Sequence, residues 1–81
     1  MVLHVVRSEY RGEFRVHLWF NDQTDGEVDL QPHLDGPIFE PLKNIDQFKR
    51  FSLEGHTIAW PNGADFAPEF LHGLIHARAL A

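Results

Sequence analysis

The alternation of apolar and polar residues over positions 14–20 constrains this chain more than any other feature of its sequence. Apolar side chains occupy every second position of that stretch, and arginine, histidine and tryptophan stand between them. A period of two is typical of a β-strand with one buried face and one solvated face. We therefore expect a sheet whose apolar face is covered by helices.

A tight hairpin is predicted to join this strand to an earlier one over residues 2–10. Arg11-Gly12 has the composition of a two-residue loop, in which glycine supplies the positive φ that such turns require. This loop places Val5 opposite Leu18, and directly opposed residues share a face. The apolar face then comprises Leu3, Val5, Phe14, Val16, Leu18 and Phe20, and the other face comprises His4, Ser8, Arg15, His17 and Trp19.

A third strand is predicted over residues 27–30, after a turn of polar residues at 21–26. Val28 and Leu30 reach the apolar face only if the connecting loop has an odd number of residues or contains a bulge. Gly26 is suited to such a bulge.

A second hairpin is predicted from strands 51–54 and 57–60, with Gly55-His56 as a two-residue loop. Its register places Leu53 opposite Ile58.

Prolines and glycines at 31–42 predict an irregular crossing segment between the two hairpins. Its apolar residues, Leu34, Ile38, Phe39 and Leu42, are expected to cover one end of the core. Asn44 then caps a short helix whose inner side carries Ile45 and Phe48.

The last element is predicted to be a helix that begins near Pro68. Its apolar stripe comprises Phe70, Leu71, Leu74, Ala77 and, in addition, Ile75, and Arg78 complements the end of the helix dipole. Gly73 costs such a helix about 1 kcal/mol relative to alanine, unless another element packs closely against it. The fold class is therefore α+β. One domain over residues 1–81 is expected to hold about five antiparallel meander strands in two hairpin units, a short middle helix and a C-terminal helix.

Composition excludes several classes of function. The chain has no cysteine, which excludes disulfides and thiol chemistry. Twelve acidic residues against seven scattered basic ones give a formal net charge of −5, which disfavours direct binding of DNA or RNA. Residues 1–7 lack the pattern of a signal peptide and no apolar run is long enough to span a bilayer, so we expect a cytoplasmic protein without a membrane partner.

Trp19 is the first candidate binding residue, because large aromatic side chains on a polar face are favoured at protein contacts. It is expected to serve a protein partner or self-association. Alternatively, the C-terminal helix or a second copy of the chain covers this face.

Metal binding and catalysis receive little support from the residue pattern. Glu69, His72 and His76 have helical spacing and could converge on a metal ion, but the predicted apolar stripe lies opposite, so a solvated helix face is the simpler interpretation. The two serines, Ser8 and Ser52, fall within predicted strands. We therefore expect no enzymatic activity and no cofactor.

Two segments, 20–30 and 57–69, resemble the bacterial "domain of unknown function 2442" family, and residues 36–42 followed by Phe48 also fit its pattern. The resemblance covers about residues 2–71. Its most specific part is the Trp-Pro-Asn-Gly-x-Asp sequence at 60–65. One departure is Gln23, where the family commonly has glycine.

The resemblance implies a small α+β fold with a meandering antiparallel sheet and no established enzymatic activity. Members look like stand-alone small proteins or modules joined to a DNA-binding domain, and some are encoded beside a small toxin, which implies an antitoxin-like role. Within the specific motif, Trp60, Asn62 and Asp65 are candidate binding residues. The structural interpretation is that Asn62 forms the turn and Asp65 caps the last helix or binds turn amides.

Two hypotheses therefore come from the sequence. The first is a non-catalytic protein-interaction module with an antitoxin-like or regulatory role. The alternative is a small-ligand or metal-binding protein that uses Trp60, Asn62 and Asp65 or the helix face.

Overall fold

The computed structural model describes the backbone of residues 2–80 and the side chains of residues 2–76. Two antiparallel sheets and two α-helices make up the described part, which confirms the predicted α+β class. The elements are β1 (Val5–Tyr10), β2 (Arg15–Phe20), β3 (Asp25–Asp29), α1 (Ile45–Phe48), β4 (Ser52–Glu54), β5 (Thr57–Ala59) and α2 (Pro68–Leu80), with 3₁₀ helices at Gln31–His33 and Glu40–Lys43. The strand order is β1-β2-β3 in one sheet and β4-β5 in the other. Within these residues, no helix combines the length and the apolar character needed to cross a membrane.

The predicted register of the first hairpin is wrong. Ser8 lies opposite Leu18, and Val5 lies opposite Phe20 instead of Leu18. The loop holds three residues, since the Arg11 amide donates to the Arg15 carbonyl at 2.9 Å. Gly12 is not the only loop residue with positive φ, because Glu13 also adopts a φ of 50°.

Phe14 is the last residue of the longer loop and is buried. Its ring is 9% exposed and packs edge-on against Phe48 at a centroid distance of 5.2 Å. The predicted two-residue loop also places Phe14 on the apolar face, so the burial of its ring is confirmed although the loop is different.

A register shift between Val5 and Arg7 keeps the apolar face of β1 intact. Without this bulge, the new register would turn Val5 to the solvent side, because a slip by an odd number of residues exchanges the two faces. Val5 is 3% exposed. Ser8 lies opposite a buried leucine and therefore on the core side, which corrects its predicted place on the polar face.

Of the two alternatives for the connection between β2 and β3, an odd loop and a bulge at Gly26, the structure has the odd loop. The Phe20 amide donates to the Thr24 carbonyl at 2.8 Å, which leaves three residues in the loop. Val28 and Leu30 are accordingly buried. Gly26 forms no bulge but pairs in register with Leu18.

The second hairpin and its predicted pairing of Leu53 with Ile58 are confirmed. The two sheets are joined by a hydrogen bond of 2.8 Å from the Val5 amide to the His56 carbonyl.

The predicted cap of α1 is confirmed, because the Asn44 side chain accepts from the Asp46 amide at 2.9 Å. Fewer side chains of α1 are buried than predicted. Phe48 is fully buried, but Ile45 at the first position of this one-turn helix is 41% exposed. The crossing segment likewise buries Leu34 and Leu42 but leaves Ile38 exposed.

Helix α2 packs on the core side of the first sheet through Leu71 and Ile75. A Cβ added to Gly26 would lie 2.7 Å from Ile75 Cγ2, so the helix rests directly on the backbone of β3. Phe70, predicted within the stripe, is 40% exposed. The predicted contributions of Ala77 and Arg78 lie outside the described side chains.

Replacement of two glycines with alanine should have opposite effects on stability. An added Cβ at Gly73 meets no atom within 4 Å, so Gly73→Ala should raise the free energy of unfolding by about 1 kcal/mol, or the melting temperature by about 4–8 °C. Gly26→Ala should lower it by about 1–3 kcal/mol, because the new methyl group overlaps Ile75. Thermal and urea unfolding of both variants test this, and a Gly73→Ala variant less stable than wild type would contradict it.

Candidate functional site

The solvent side of the three-stranded sheet collects the candidate Trp19 with charged side chains from all three strands. We call this surface the outer face. The register aligns Arg7, Trp19 and Asp25 in one row across the sheet, and Glu9, His17 and Glu27 in the next. The outer face comprises Arg7, Glu9, Arg11, Arg15, His17, Trp19, Asp25, Glu27 and Asp29.

Trp19 lies at the centre of the first row and is half-buried by its neighbours. The Arg7 guanidinium lies over its ring, with Cζ at 4.6 Å from the centroid, and the His17 ring lies at 4.3 Å. An arginine stacked on tryptophan is attracted by the ring electrons and keeps its remaining donors available. Helix α2 does not provide the cover proposed as an alternative, because it packs on the opposite face against Gly26.

Charge changes sign across the outer face. On β1, Glu9 lies 3.6 Å from Arg7 and 3.2 Å from Arg11. On β3, Asp25 Oδ2 lies 2.7 Å from Nε2 of His17. The β1 side therefore carries two arginines around one carboxylate, and the β3 side carries three carboxylates, from Asp25, Glu27 and Asp29.

Trp60, a second candidate, lies in the core. It is 2% exposed, and its indole N–H donates to the Phe48 carbonyl at 2.6 Å. Its ring packs edge-on against Phe66 at 5.8 Å. Its position fits a structural role and presents no indole surface to a ligand.

Asn62 joins two parts of the chain. Its Oδ1 accepts from the Ala64 amide at 3.0 Å, and its Nδ2 donates to the Ile38 carbonyl at 2.8 Å. The side chain thus closes its own turn, as the structural interpretation of this residue predicts, and it also holds the crossing segment, which was not predicted. Asp65 is exposed, and it does not occupy the N-cap of α2, because that helix begins at Pro68.

His72 lies toward the sheet and not on a fully solvated helix face, which corrects its predicted position. Its Nε2 is 2.9 Å from Asp22 Oδ2, and its ring packs edge-on against Phe20 at 5.1 Å. His76 and Glu69 are exposed. Glu69, His72 and His76 are not arranged to hold a metal ion, and neither is any other group of three potential ligands among the described residues.

The surroundings of Asp22 favour the ionised form of its carboxylate. The hydrogen bond from the Thr24 amide lowers the pKa of Asp22, and the contact with His72 lowers it further. Asp22 therefore joins the β2–β3 turn to α2 most strongly in its ionised form.

The contacts that organise the outer face were missed at the level of sequence. Arg7 meets Trp19 only in the observed register, and the predicted loop places a different β1 residue beside it. The alternating pattern indicated only that His17 and Trp19 share a face. Within the described part of the chain, no enclosed pocket is found.

A model of the family described as "Protein of unknown function (DUF2442)" matches residues 5–77 of the chain. No curated protein and no solved structure matches it.

Two variants of Asn62 should separate its two hydrogen bonds. Asn62→Asp keeps the acceptor for the Ala64 amide but loses the donor to Ile38, and should lower the free energy of unfolding by about 1 kcal/mol. Asn62→Ala loses both bonds and should lower it by about 1–3 kcal/mol. Urea unfolding measures both, and equal stability of the alanine variant and wild type would contradict a structural role.

The stabilising effect of Asp22 should depend on pH. The pKa of Asp22 is lowered in the folded state. Its contribution to the free energy of unfolding is therefore fully present above the ordinary carboxyl pKa of about 4, and it is lost as the pH falls through the lowered pKa of the folded state. Asp22→Asn should therefore be less stable than wild type at neutral pH, and the difference should shrink in acid. Urea unfolding between about pH 7 and pH 2 measures this, and a difference that grows in acid would contradict it.

Proposed function

Since this chain belongs to the DUF2442 family, whose function is not established, we propose its function from its own surface. It is a non-catalytic protein-interaction module that binds a protein partner through the outer face. The single observation that carries this proposal is the arrangement of Arg7 over Trp19 at the centre of that face.

Tryptophan and arginine are the residues most enriched among those that dominate binding energy at protein contacts. Arg7 holds the Trp19 ring against the sheet, so little side-chain freedom remains to be lost when a partner binds. Arg7 itself keeps 66% of its side chain exposed, which leaves its guanidinium available to a partner's carboxylate or carbonyl groups.

Charged groups surround this centre as they do at the rim of many protein contacts. Asp25 lies beside Trp19 on β3, and Glu9 lies in the next row on β1. Their side chains are 49% and 43% exposed. Charges placed in this way favour a partner of complementary pattern and disfavour others.

A binding role also fits the positions of the groups that could act in acid–base chemistry. His17 and its partner Asp25 lie on the outer face, whereas Ser8 lies on the core side of the same sheet. The second pair, His72 and Asp22, joins a helix to a turn. Each pair therefore has a clear structural contact within the chain.

An antitoxin-like or regulatory role is the finer form of this proposal, in which binding covers a functional surface of the partner. We place the module in the cytoplasm, and its charge of −5 supports a protein partner over nucleic acid. The alternative of a small-ligand protein gains no support from Trp60 or Asn62, because the first is buried and the second binds its own chain.

Truncation of Trp19 should strongly weaken the proposed binding. Trp19→Ala should weaken the association by about tenfold or more, because it removes the central ring and the surface that orders Arg7. The matched control is Leu53→Ala, since Leu53 is an apolar side chain 43% exposed on β4, away from the outer face. The tagged native protein and both variants are purified, and stoichiometric co-purifying protein and sedimentation are compared.

Two outcomes support the proposal: a bound protein or a self-assembled form that is kept by Leu53→Ala and lost by Trp19→Ala. Two outcomes contradict it. One is the absence of both a stoichiometric partner and self-association, and the other is association unchanged in Trp19→Ala while the variant remains folded by circular dichroism.

A further inference from the structure

Resting on the proposed function, we infer that the occupant of the outer face is a second copy of this chain. The two sheets face each other across a two-fold axis that runs parallel to β2 and passes beside Trp19. This names the partner and the symmetry of the contact, which the proposed function leaves open.

The separation of charge across the outer face selects this axis. A two-fold axis between two facing sheets and parallel to their strands places β1 of one copy over β3 of the other, and β2 over β2. Arg7 of β1 and Arg11, which directly follows that strand, then face the carboxylates of β3. An axis perpendicular to the strands would instead place β1 over β1 and β3 over β3, so that the three carboxylates of β3 meet those of the second copy.

The central row shows the complementarity most directly. Arg7, Trp19 and Asp25 follow one another across the sheet. In the two-fold arrangement, Arg7 of each copy faces Asp25 of the other, and the two Trp19 rings meet at the axis. Each Arg7 can lie between its own indole and a carboxylate of the second copy, which satisfies both its stacking and its charge.

The same arrangement also creates two kinds of like-charged contact: Glu9 faces Glu27 of the second copy, and Arg15 on the central strand faces Arg15 of the second copy. Glu9 lies beside Arg7 and Arg11 of its own chain, at 3.6 and 3.2 Å. Most of its charge is therefore offset before a second copy approaches. In the row of Glu9, His17 lies on the central strand, where its bond to Asp25 holds that carboxylate in position beside the axis.

The outer face is also the part of the surface that a second copy can approach with least repulsion. The chain as a whole carries a formal charge of −5. The outer face has three arginines and four carboxylates, so it is nearly neutral. Two strongly acidic molecules can therefore meet here without a large electrostatic cost.

The size of the face favours a weak dimer. Three strands of about five residues, spaced by about 4.8 Å and rising about 3.4 Å per residue, cover roughly 250 Å². Stable complexes bury about 800 Å² per partner. The dimer is therefore expected at the weak end of protein association, and its detection needs a high protein concentration.

Exchange of charges across the axis tests this arrangement. Sedimentation equilibrium of the full chain between about 10 µM and 1 mM gives the dimer constant of wild type. Arg7→Glu and Asp25→Arg should each weaken the homodimer by about tenfold or more, because like charges then face each other. A mixture of the two variants should restore dimerisation to within about threefold of wild type, since Glu at position 7 of one copy meets Arg at position 25 of the other.

The mixture is the decisive arm, because a charge pair restored between chains cannot come from a contact within one chain. Matched controls that make the same charge changes away from the outer face are Arg50→Glu and Asp35→Arg, both at exposed positions. They should leave the dimer constant within about threefold of wild type. Thermal unfolding of every variant verifies the folded state.

Two results would overturn the inference: a wild-type chain that stays monomeric to about 1 mM, or two folded charge variants that do not associate when mixed. Either result can be distinguished from a failure of the proposed function. If a different protein binds wild type and is lost by Trp19→Ala, the face is an interaction surface with another occupant. If no association of either kind is found, both proposals fail.

Discussion

The burial of Phe48 is the packing contact on which most of this fold depends. Its ring is fully buried, and four aromatic rings surround it, from Tyr10, Phe14, Phe51 and Trp60, at centroid distances of 5.2 to 6.4 Å. These rings come from the first hairpin, the segment after α1 and the residue that directly follows β5. The Phe48 carbonyl also accepts the buried indole N–H of Trp60, so one residue supplies both the apolar centre and the polar partner that the tryptophan needs.

The chemistry of the opposite surface depends on the register of the first hairpin. Its three-residue loop holds Phe14 against Phe48, and the same loop sets the register of β1 on β2. This register aligns Arg7 with Trp19, and the bulge beside Val5 keeps the apolar face of β1 intact. One loop thus carries a buried aromatic contact and also determines which charged side chain stacks on Trp19. A single layer of backbone separates the core from the surface in this sheet, so a change of strand register alters the side-chain contacts on both faces.

Local patterns of the sequence predicted the elements well, and long-range packing decided what they did not predict. The strand alternation, the Gly55-His56 turn and the Asn44 cap depend on neighbouring residues, and all three are confirmed. The first hairpin was misaligned because the turn propensity of Arg11-Gly12 does not fix the length of the loop, which holds three residues between Arg11 and Arg15. His72 was misplaced because its partner Asp22 lies 50 residues away. Among the candidate residues, Asn62 was understood as a turn residue, but its bond to Ile38 had no local signal.

The bare backbone at Gly26 has a consequence for how the outer face is supported. Ile75 occupies the space where a side chain would lie, and one turn earlier on the same helix His72 contacts Asp22 in the adjoining turn. No side chain of Gly26 separates the last helix from β3, so the two elements are in direct contact at that point. Asp25 is the neighbour of Gly26 in the strand, and its backbone is therefore supported from the core side by the helix.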